Sequence, residues 1–179
     1  MVKLNLGSSE KLLEGFINVD INFDLKDESF LNADVRDLPF PDKYADYILA
    51  RQVLEHIPIT DTIKTLREWL RVLKPKGTMV ITCPNFNLMA YEWLNTPFTP
   101  VMHHEMTQGI YGNQKTEYEK HVTPITPEFL NYCLGKAGAK EWNTSVYERG
   151  MPFVNYDGCV EPDGRVYRFG EAHIMLTKV

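Results

Sequence analysis

A glycine and a carboxylate each follow a short apolar run near the start of the chain. Residues 2–6 alternate between apolar and polar side chains, and Gly7 ends this run. A second run covers residues 16–19, and Asp20 closes it. In parallel α/β sheets, a glycine after the first strand lets the backbone approach a ligand, and a carboxylate after the second strand accepts hydrogen bonds from ribose hydroxyls. The spacing therefore predicts a site for a ribose-bearing cofactor.

The same stretch disfavours a nicotinamide oxidoreductase. The dinucleotide fingerprint G-x-G-x-x-G is missing, because Gly7 is followed by Ser8 and Ser9. The linker from Gly7 to Phe16 is also too short for the full helix of a nicotinamide-binding βαβ unit.

Length and composition set broad limits. The 179 residues suit one compact domain, which we take to span 1–179. The net charge of −5 argues against binding to a phosphate backbone, and hence against DNA. No long apolar run or signal peptide is present, so neither a membrane nor export is expected. Three widely spaced cysteines predict a reducing compartment and a cytoplasmic location.

The elements that must position the glycine and carboxylates alternate between strands and helices. We expect strands over residues 30–35, 44–50 and 78–82, a two-turn helix over 51–57, and a longer amphipathic helix over 61–73, capped by Thr60 or Asp61. This order with short crossovers predicts a doubly wound, mostly parallel α/β sheet.

The second half of the chain is less regular in sequence. Residues 95–123 show no clear period, and we interpret them as an irregular lid or substrate loop. Thr126 and Pro127 are typical of a helix start, with Gly138 as its stop. Further expected elements are a helix over 86–94, strands over 141–148 and 171–178, and a turn at 162–164.

Three stretches together resemble a known family. LNLGSS with NVDI, then ADVRDLPFPDKYADYILARQVLEHI, then LREWLRVLKPKGTMVITCPN stand in the order of a small, single-domain, type-11-like class I S-adenosylmethionine-dependent methyltransferase. The resemblance covers residues 3–85 well and is looser beyond them. It implies a Rossmann-like, seven-stranded sheet whose last strand is antiparallel, with S-adenosyl-L-methionine as the cofactor.

The resemblance also implies a role for individual residues. Gly7 would lie under the methionine part of the cofactor, and Asp20 would bind the ribose hydroxyls. Asp34 would accept the adenine amino group, with Val35 beside the ring. The floor near the sulfonium would be lined by Arg51 and Gln52.

Two positions depart from the family's pattern. Ser9 stands where a second glycine is usual, and Asn5 stands where an acidic residue is usual. These departures leave open an alternative from another class, a catalytically degenerate methyltransferase-fold protein that only binds a cofactor or partner.

A possible metal site follows the fourth strand. Gln52, Glu55 and His56 would share one helix face. The pattern resembles the metal site of some small-RNA and quinone-precursor methyltransferases, except that Gln52 replaces a glutamate; a later histidine, His103, His104 or His121, would complete it. The alternative, which we favour, is that Glu55 and His56 bond to loop backbone and no metal binds.

The acceptor is least constrained by the sequence. An oxygen acceptor needs deprotonation during attack, for which His121 or His104 is a candidate catalytic base. The chain lacks the Asn/Asp-Pro-Pro-Tyr/Phe motif of base-amino methyltransferases, and no large substrate domain is present. We therefore expect a small-molecule oxygen or nitrogen acceptor, such as a sugar or another metabolite.

Overall fold

Five parallel strands form the centre of the protein. The computed structural model describes residues 1–95, 99–140, 142, 145–146 and 174–175. Its sheet has the order β3-β2-β1-β4-β5. The strands are β1 (Lys3–Leu6), β2 (Ile17–Asp20), β3 (Phe30–Asn32), β4 (Ala45–Arg51) and β5 (Leu73–Thr82). The predicted parallel α/β sheet is therefore confirmed.

The order of the strands reverses between β1 and β4. The chain moves outward from β1 to β3 and then returns to pair β4 with the other side of β1. A crevice opens at such a reversal, beyond the carboxyl ends of the strands, and ligands of open α/β sheets bind there.

Two helices cover the sheet and complete the core. Helix α1 (Ile59–Val72) packs against helix α4 (Pro127–Ala137). Trp69 of α1 is fully buried and donates an indole hydrogen bond of 2.9 Å to the Val35 carbonyl oxygen. Because this bond satisfies a buried N–H and a backbone oxygen together, it fixes the chain just after β3.

The ends of α4 were predicted correctly. Thr126 accepts a side-chain hydrogen bond from the Phe129 N–H, Pro127 occupies the first turn, and Gly138 ends the helix with φ 99°. Helix α1 begins differently, because Pro58 occupies its N-terminal cap position and makes no side-chain cap. The predicted caps Thr60 and Asp61 lie inside the first turn instead.

Two expected features around β4 and β5 are wrong. The predicted two-turn helix over 51–57 is a single 3-10 turn, Leu54–His56, because Gln52 has φ 53°, which a right-handed helix cannot contain. Residues 74–77 were expected to separate α1 from a strand over 78–82, but they belong to β5. Ala45 of β4 pairs with Leu73 and Tyr47 pairs with Thr78, so the intervening residues of β5 form an irregularity in the ladder.

The predicted irregular segment over 95–123 contains a regular helix. Helix α2 (Phe86–Asn95) packs against α3 (Pro100–Tyr111), and a 3-10 turn follows at Glu117–Glu119. The sequence of α3 carries no clear apolar stripe, so its periodicity gave no helical signal.

The predicted seven-stranded sheet with an antiparallel last strand is not what the described residues form. Strands β6 (Ser145–Val146) and β7 (Ile174–Met175) pair antiparallel with each other in a separate ladder. Strand β7 lies near β5, but no ladder joins the two strands among the described residues. Most of the expected strands over 141–148 and 171–178, and the expected turn at 162–164, lie outside the described residues.

Among the described residues, no helix has the length and apolar character required to span a bilayer.

Candidate active site

The carboxyl ends of β1, β2 and β4 open onto one cavity of about 520 Å³, which we call the sheet-edge cavity. Five of the six residues predicted to bind the cofactor line it: Gly7, Asp20, Asp34, Val35 and Gln52. Parallel strands place their carboxyl ends at the same edge of the sheet, which is why residues up to 45 positions apart meet here.

Gly7 turns the chain at the end of β1. It has φ 65°, and its N–H donates a hydrogen bond of 2.8 Å to the Val19 carbonyl oxygen. A Cβ atom at this position would collide with the Val53 side chain. Both the positive φ and the close neighbour therefore require glycine.

Asp20 presents a fixed carboxylate to the sheet-edge cavity. One oxygen accepts a 2.8 Å hydrogen bond from the Ser9 N–H, and the other accepts a 2.8 Å hydrogen bond from the Asn22 N–H. An ionised carboxylate has about four acceptor sites. Asp20 therefore keeps the capacity to accept hydrogen bonds from two ligand hydroxyls.

Asp34 also lines this cavity, but it pairs with Arg36. The guanidinium makes a 2.7 Å ion pair with the carboxylate and donates further bonds of 2.9 and 3.0 Å from Nε. Burial raises the pKa of Asp34, but the hydrogen bonds and charge of Arg36 outweigh it, so that the pKa lies below its ordinary value. The side chain is thus an ionised acceptor at neutral pH; its role toward an adenine stays a prediction.

Gln52 and Arg51 differ in their placement. The buried Gln52 Nε2 atom has no hydrogen-bond partner among the described residues, and Gln52 is among the residues that line the sheet-edge cavity. Unpartnered buried donors are rare in proteins and indicate strain or a site for a water, an ion or a ligand. Arg51, at the last position of β4, is not among the residues that line this cavity.

The two departures from the family pattern have separate structural explanations. Ser9 adopts φ 53°, the conformation for which glycine is usual. The buried Asn5 amide donates a 2.9 Å hydrogen bond to the Asn18 side-chain oxygen. Asn18 in turn bonds to the backbone of Leu13 and Phe16. Asn5 therefore secures the short linker between β1 and β2.

A second cavity of about 260 Å³ adjoins the first, and we call it the apolar cavity. Its walls include side chains from the start of α2, the end of α3 and the loop before α4: Phe86, Met89, Ile110, Tyr111, Ile125. Val122 lines both cavities. The predicted lid segment thus contributes to each, since its Glu117–Glu119 turn lines the sheet-edge cavity.

Glu55, His56 and His121 meet at the boundary between the cavities. One potential ligand atom from each lies within 4.8 Å of the others. Glu55 and His121 line the apolar cavity, whereas His56 lines the sheet-edge cavity. Burial and the neighbouring His56 lower the pKa of His121 to about 4. Burial also lowers the pKa of His56, so both imidazoles are neutral at pH 7.

The other predicted histidines lie elsewhere. His103 and His104 are both exposed on α3, and neither lines either cavity. His121, by contrast, faces the apolar cavity, as a candidate base must, although a pKa of about 4 makes it a weaker base than an ordinary imidazole.

Sequence reasoning missed the acidic turn Glu117–Glu119 and Val53 as lining residues. The acidic turn carried no signal, because its contact with the turn after β4, about 60 residues away, depends on how the loop folds back.

Val53 directly follows the predicted Gln52, but nothing in the sequence distinguishes it from an ordinary core residue. His121 was named as one of three possible partners for Glu55 and His56, and only the structure selects it.

Parts of this sequence are similar to known proteins. Residues 12–81 match the family described as methyltransferase domain. A 53-residue stretch is 42% identical to the ubiquinone/menaquinone biosynthesis C-methyltransferase UbiE of Proteus mirabilis. That match covers 30% of this chain and only 20% of the curated enzyme.

Solved structures share the fold over a greater length. A SAM-dependent methyltransferase from Archaeoglobus fulgidus has a TM-score of 0.60 at 18% identity, covering 99% of this chain and 85% of its own. One from Methanosarcina mazei has a TM-score of 0.62 at 14% identity, covering 99% and 92%. Residues 12–81 are thus similar to a methyltransferase domain, and the chain shares the fold of these solved methyltransferases.

Proposed function

We propose that the chain binds S-adenosyl-L-methionine in the sheet-edge cavity and transfers its methyl group to an oxygen or nitrogen of a small molecule. The observation that supports this most directly is the convergence of Gly7, Asp20 and Gln52 on one cavity at the reversal of strand order. The cofactor supplies an electrophilic methyl group when bound.

The described residues fit such a cofactor. Gly7 turns the chain at the cavity with a φ of 65°, and the Asp20 carboxylate is held at the correct edge of the sheet to meet ribose hydroxyls. The unpartnered Gln52 Nε2 offers a donor that the protein itself does not satisfy. Asp34 is a second ionised carboxylate at this cavity, next to the buried Val35, and Arg36 already donates to both of its oxygens.

The apolar cavity is the natural place for the acceptor. It adjoins the sheet-edge cavity through Val122, and its apolar walls can exclude water from the reacting atoms. A volume of about 260 Å³ suits a small molecule or a small part of one. The acidic net charge of −5 agrees with an acceptor other than DNA.

Within this proposal the protein acts mainly by positioning. The methyl group is already reactive, so the rate depends mainly on how well the acceptor atom is aligned behind it. A nitrogen acceptor needs little help from proton transfer. For an oxygen acceptor, the proton must leave during attack, and His121 is the histidine that faces the apolar cavity.

Calorimetric titration with S-adenosyl-L-methionine tests the proposal, followed by transfer of a labelled methyl group to a panel of hydroxyl and amine compounds. Saturable binding with label transfer supports the proposed enzyme. Binding without transfer to any compound of the panel, or no binding at millimolar ligand, would instead favour the degenerate methyltransferase-fold alternative that binds a cofactor or partner without catalysis.

A further inference from the structure

The sheet-edge cavity has more carboxylates than cations on its walls. Among the described residues that line it, four are acids and one carries a guanidinium: Asp20, Asp34, Glu117, Glu119 and Arg36. Burial lowers the pKa of His56, which also lines the cavity, so this imidazole adds no charge at pH 7. A cavity lined by an excess of one charge attracts ligands of the opposite charge. The walls therefore favour a ligand that carries positive charge.

The Glu119 carboxylate differs from the other three. Asp34 pairs with Arg36 at 2.7 Å, and Asp20 accepts backbone hydrogen bonds of 2.8 Å at both of its oxygens. Glu117 is exposed to solvent. By contrast, the Glu119 Oε2 atom is buried and accepts no hydrogen bond from the described residues. A buried acceptor without a donor is unfavourable and indicates a place where a ligand can supply one.

Glu119 lies near His56, on the side of the cavity where β1 and β4 end. Burial lowers the pKa of His56, and the charges of Glu119 and Asp20 both oppose that shift. Asp20 ends β2 and His56 follows β4, and β1 lies between these two strands in the sheet. The two carboxylates therefore lie near the end of β1. Gly7 turns the chain there, and the methionine part of the cofactor is expected at this residue.

The backbone next to Glu119 is held in place. His56 Nδ1 donates a 3.0 Å hydrogen bond to the Lys120 carbonyl oxygen, since a carbonyl oxygen only accepts. Lys120 also pairs with Gly112 in an antiparallel bridge. A Cβ atom at Gly112 would collide with the Glu119 carbonyl oxygen, so glycine is required for this close approach. The turn is thus fixed beside the cavity before a ligand binds.

Strand β1 itself offers no carboxylate to a cationic ligand. Asn5 stands on this strand where the family pattern usually has an acid. It is buried, donates a 2.9 Å hydrogen bond to the Asn18 side-chain oxygen and does not line the sheet-edge cavity. The methionine part of S-adenosyl-L-methionine carries an ammonium group, which offers three donors and needs acceptors when it leaves water. Another residue must therefore accept from this group.

We propose that the Glu119 carboxylate binds the ammonium group of S-adenosyl-L-methionine. The assignment rests on the proposed cofactor site. It places a cofactor contact on the segment over residues 95–123, of which Val122 lines both cavities. Cofactor binding therefore also stabilises the segment that forms part of the acceptor cavity.

Calorimetric titration with three ligands separates the ammonium group from the rest of the cofactor. S-adenosyl-L-methionine carries both the ammonium and the sulfonium charge, S-adenosyl-L-homocysteine keeps the ammonium alone, and methylthioadenosine has neither. Glu119→Gln should weaken binding of the first two ligands by roughly 10- to 150-fold, the cost of a lost hydrogen bond to a charged group. Its affinity for methylthioadenosine should equal that of the wild type.

The control is Glu28→Gln, which removes the same charge at an exposed position before β3, at the opposite edge of the sheet. It should bind all three ligands as the wild type does. Thermal unfolding shows whether each variant is folded. If Glu119→Gln is not, crystals of the wild type with S-adenosyl-L-homocysteine decide, because the proposal requires a Glu119 oxygen about 2.7–2.9 Å from the ammonium nitrogen.

Several results would overturn the assignment of Glu119. These are unchanged affinity of Glu119→Gln for S-adenosyl-L-homocysteine, or an ammonium group that pairs elsewhere in the crystals. An equal loss for methylthioadenosine would show that Glu119 supports the adenosyl part or the fold, and a loss confined to S-adenosyl-L-methionine would place the carboxylate at the sulfonium. A wild type that binds none of the three ligands would reject the proposed cofactor site itself, together with this assignment.

Discussion

The Ser9 N–H donates a 2.8 Å hydrogen bond to a carboxylate oxygen of Asp20. The bond joins the loop after β1 to the end of β2, and the other Asp20 oxygen accepts from the Asn22 N–H. The carboxylate is thus oriented before a ligand binds, which reduces the ordering that binding requires.

Gly7→Ala should destabilise the protein more than Gly15→Ala does. Both glycines have positive φ, 65° and 76°. An alanine held in this left-handed conformation costs roughly 1–2 kcal/mol of stability, and both variants share that cost. Only at Gly7 does the new Cβ collide with Val53, whereas at Gly15 it meets open space. Overpacking should therefore destabilise Gly7→Ala by about 1–3 kcal/mol more than Gly15→Ala. Urea unfolding of the two variants measures this difference in unfolding free energy. Equal losses would mean that the region around Val53 relaxes freely.

Gln52→Met should weaken cofactor binding without destabilising the ligand-free protein. The variant removes a buried donor that has no partner among the described residues, and such groups cost about 1–3 kcal/mol. The ligand-free unfolding temperature should therefore stay equal or rise, while the dissociation constant for S-adenosyl-L-methionine increases. Gln108→Met, on the exposed side of α3, serves as the control. A less stable variant with unchanged affinity would show that Gln52 is structural.

Asn5→Asp should destabilise the protein although it restores the acidic residue usual in the family. The Asn5 amide nitrogen donates a hydrogen bond to the Asn18 side-chain oxygen. An aspartate carboxylate cannot donate, so two acceptor oxygens would face each other. A buried acceptor left unpaired costs about 1–3 kcal/mol, more when charged. Chemical denaturation measures the loss, with Asn113→Asp at an exposed position as the control. An unchanged stability would mean that the Asn5–Asn18 pair rearranges at little cost.

Glu68 should make stability depend on acid pH. Its carboxylate accepts from Arg71 at 2.7 and 2.8 Å and from the Leu38 N–H at 2.9 Å. The hydrogen bond from Arg71 is the main reason that the pKa of Glu68 lies below its ordinary 4.5. Because the folded pKa is lowered, this stabilisation is present above pH 4.5 and is lost as the pH falls through the folded value.

Glu68→Gln should therefore lower the unfolding free energy at pH 7 by about 1–2 kcal/mol and reduce its decline between pH 5 and 3. The control is Glu14→Gln, at an exposed position. It should change neither the unfolding free energy at pH 7 nor its decline in acid. A steeper acid decline in Glu68→Gln than in the wild type would reverse the sign expected here.

Local patterns predicted the elements whose ends are set by neighbouring residues. Thr126, Pro127 and Gly138 bound α4 as expected, because caps act within one turn. The meeting of Gly7, Asp20 and Asp34 was also predictable, since parallel strands fix which ends meet. Helix α3 was missed because it lacks an apolar stripe.

Contacts between distant residues could not be read from the sequence. His121 reaches Glu55 because backbone bonds from Val122 and Thr123 fold its loop back onto the turn after β4. Nothing in the local pattern distinguishes it from His104, which is exposed on α3. In the same way, nothing in the sequence indicated that Gln52 has a positive φ and that its N–H donates a hydrogen bond to Thr82 of β5, where a helix was predicted.

Calorimetric titration of S-adenosyl-L-methionine into the wild type, Asp20→Ala and the exposed-turn control Asp37→Ala tests most directly whether the ends of the first strands hold the cofactor. We expect saturable binding by the wild type and the control. Loss of buried hydrogen bonds to a charged group should weaken binding to Asp20→Ala by about 1–3 kcal/mol, or roughly 5- to 150-fold. Equal affinity in all three proteins, with each variant folded, would contradict the placement of the cofactor at Asp20.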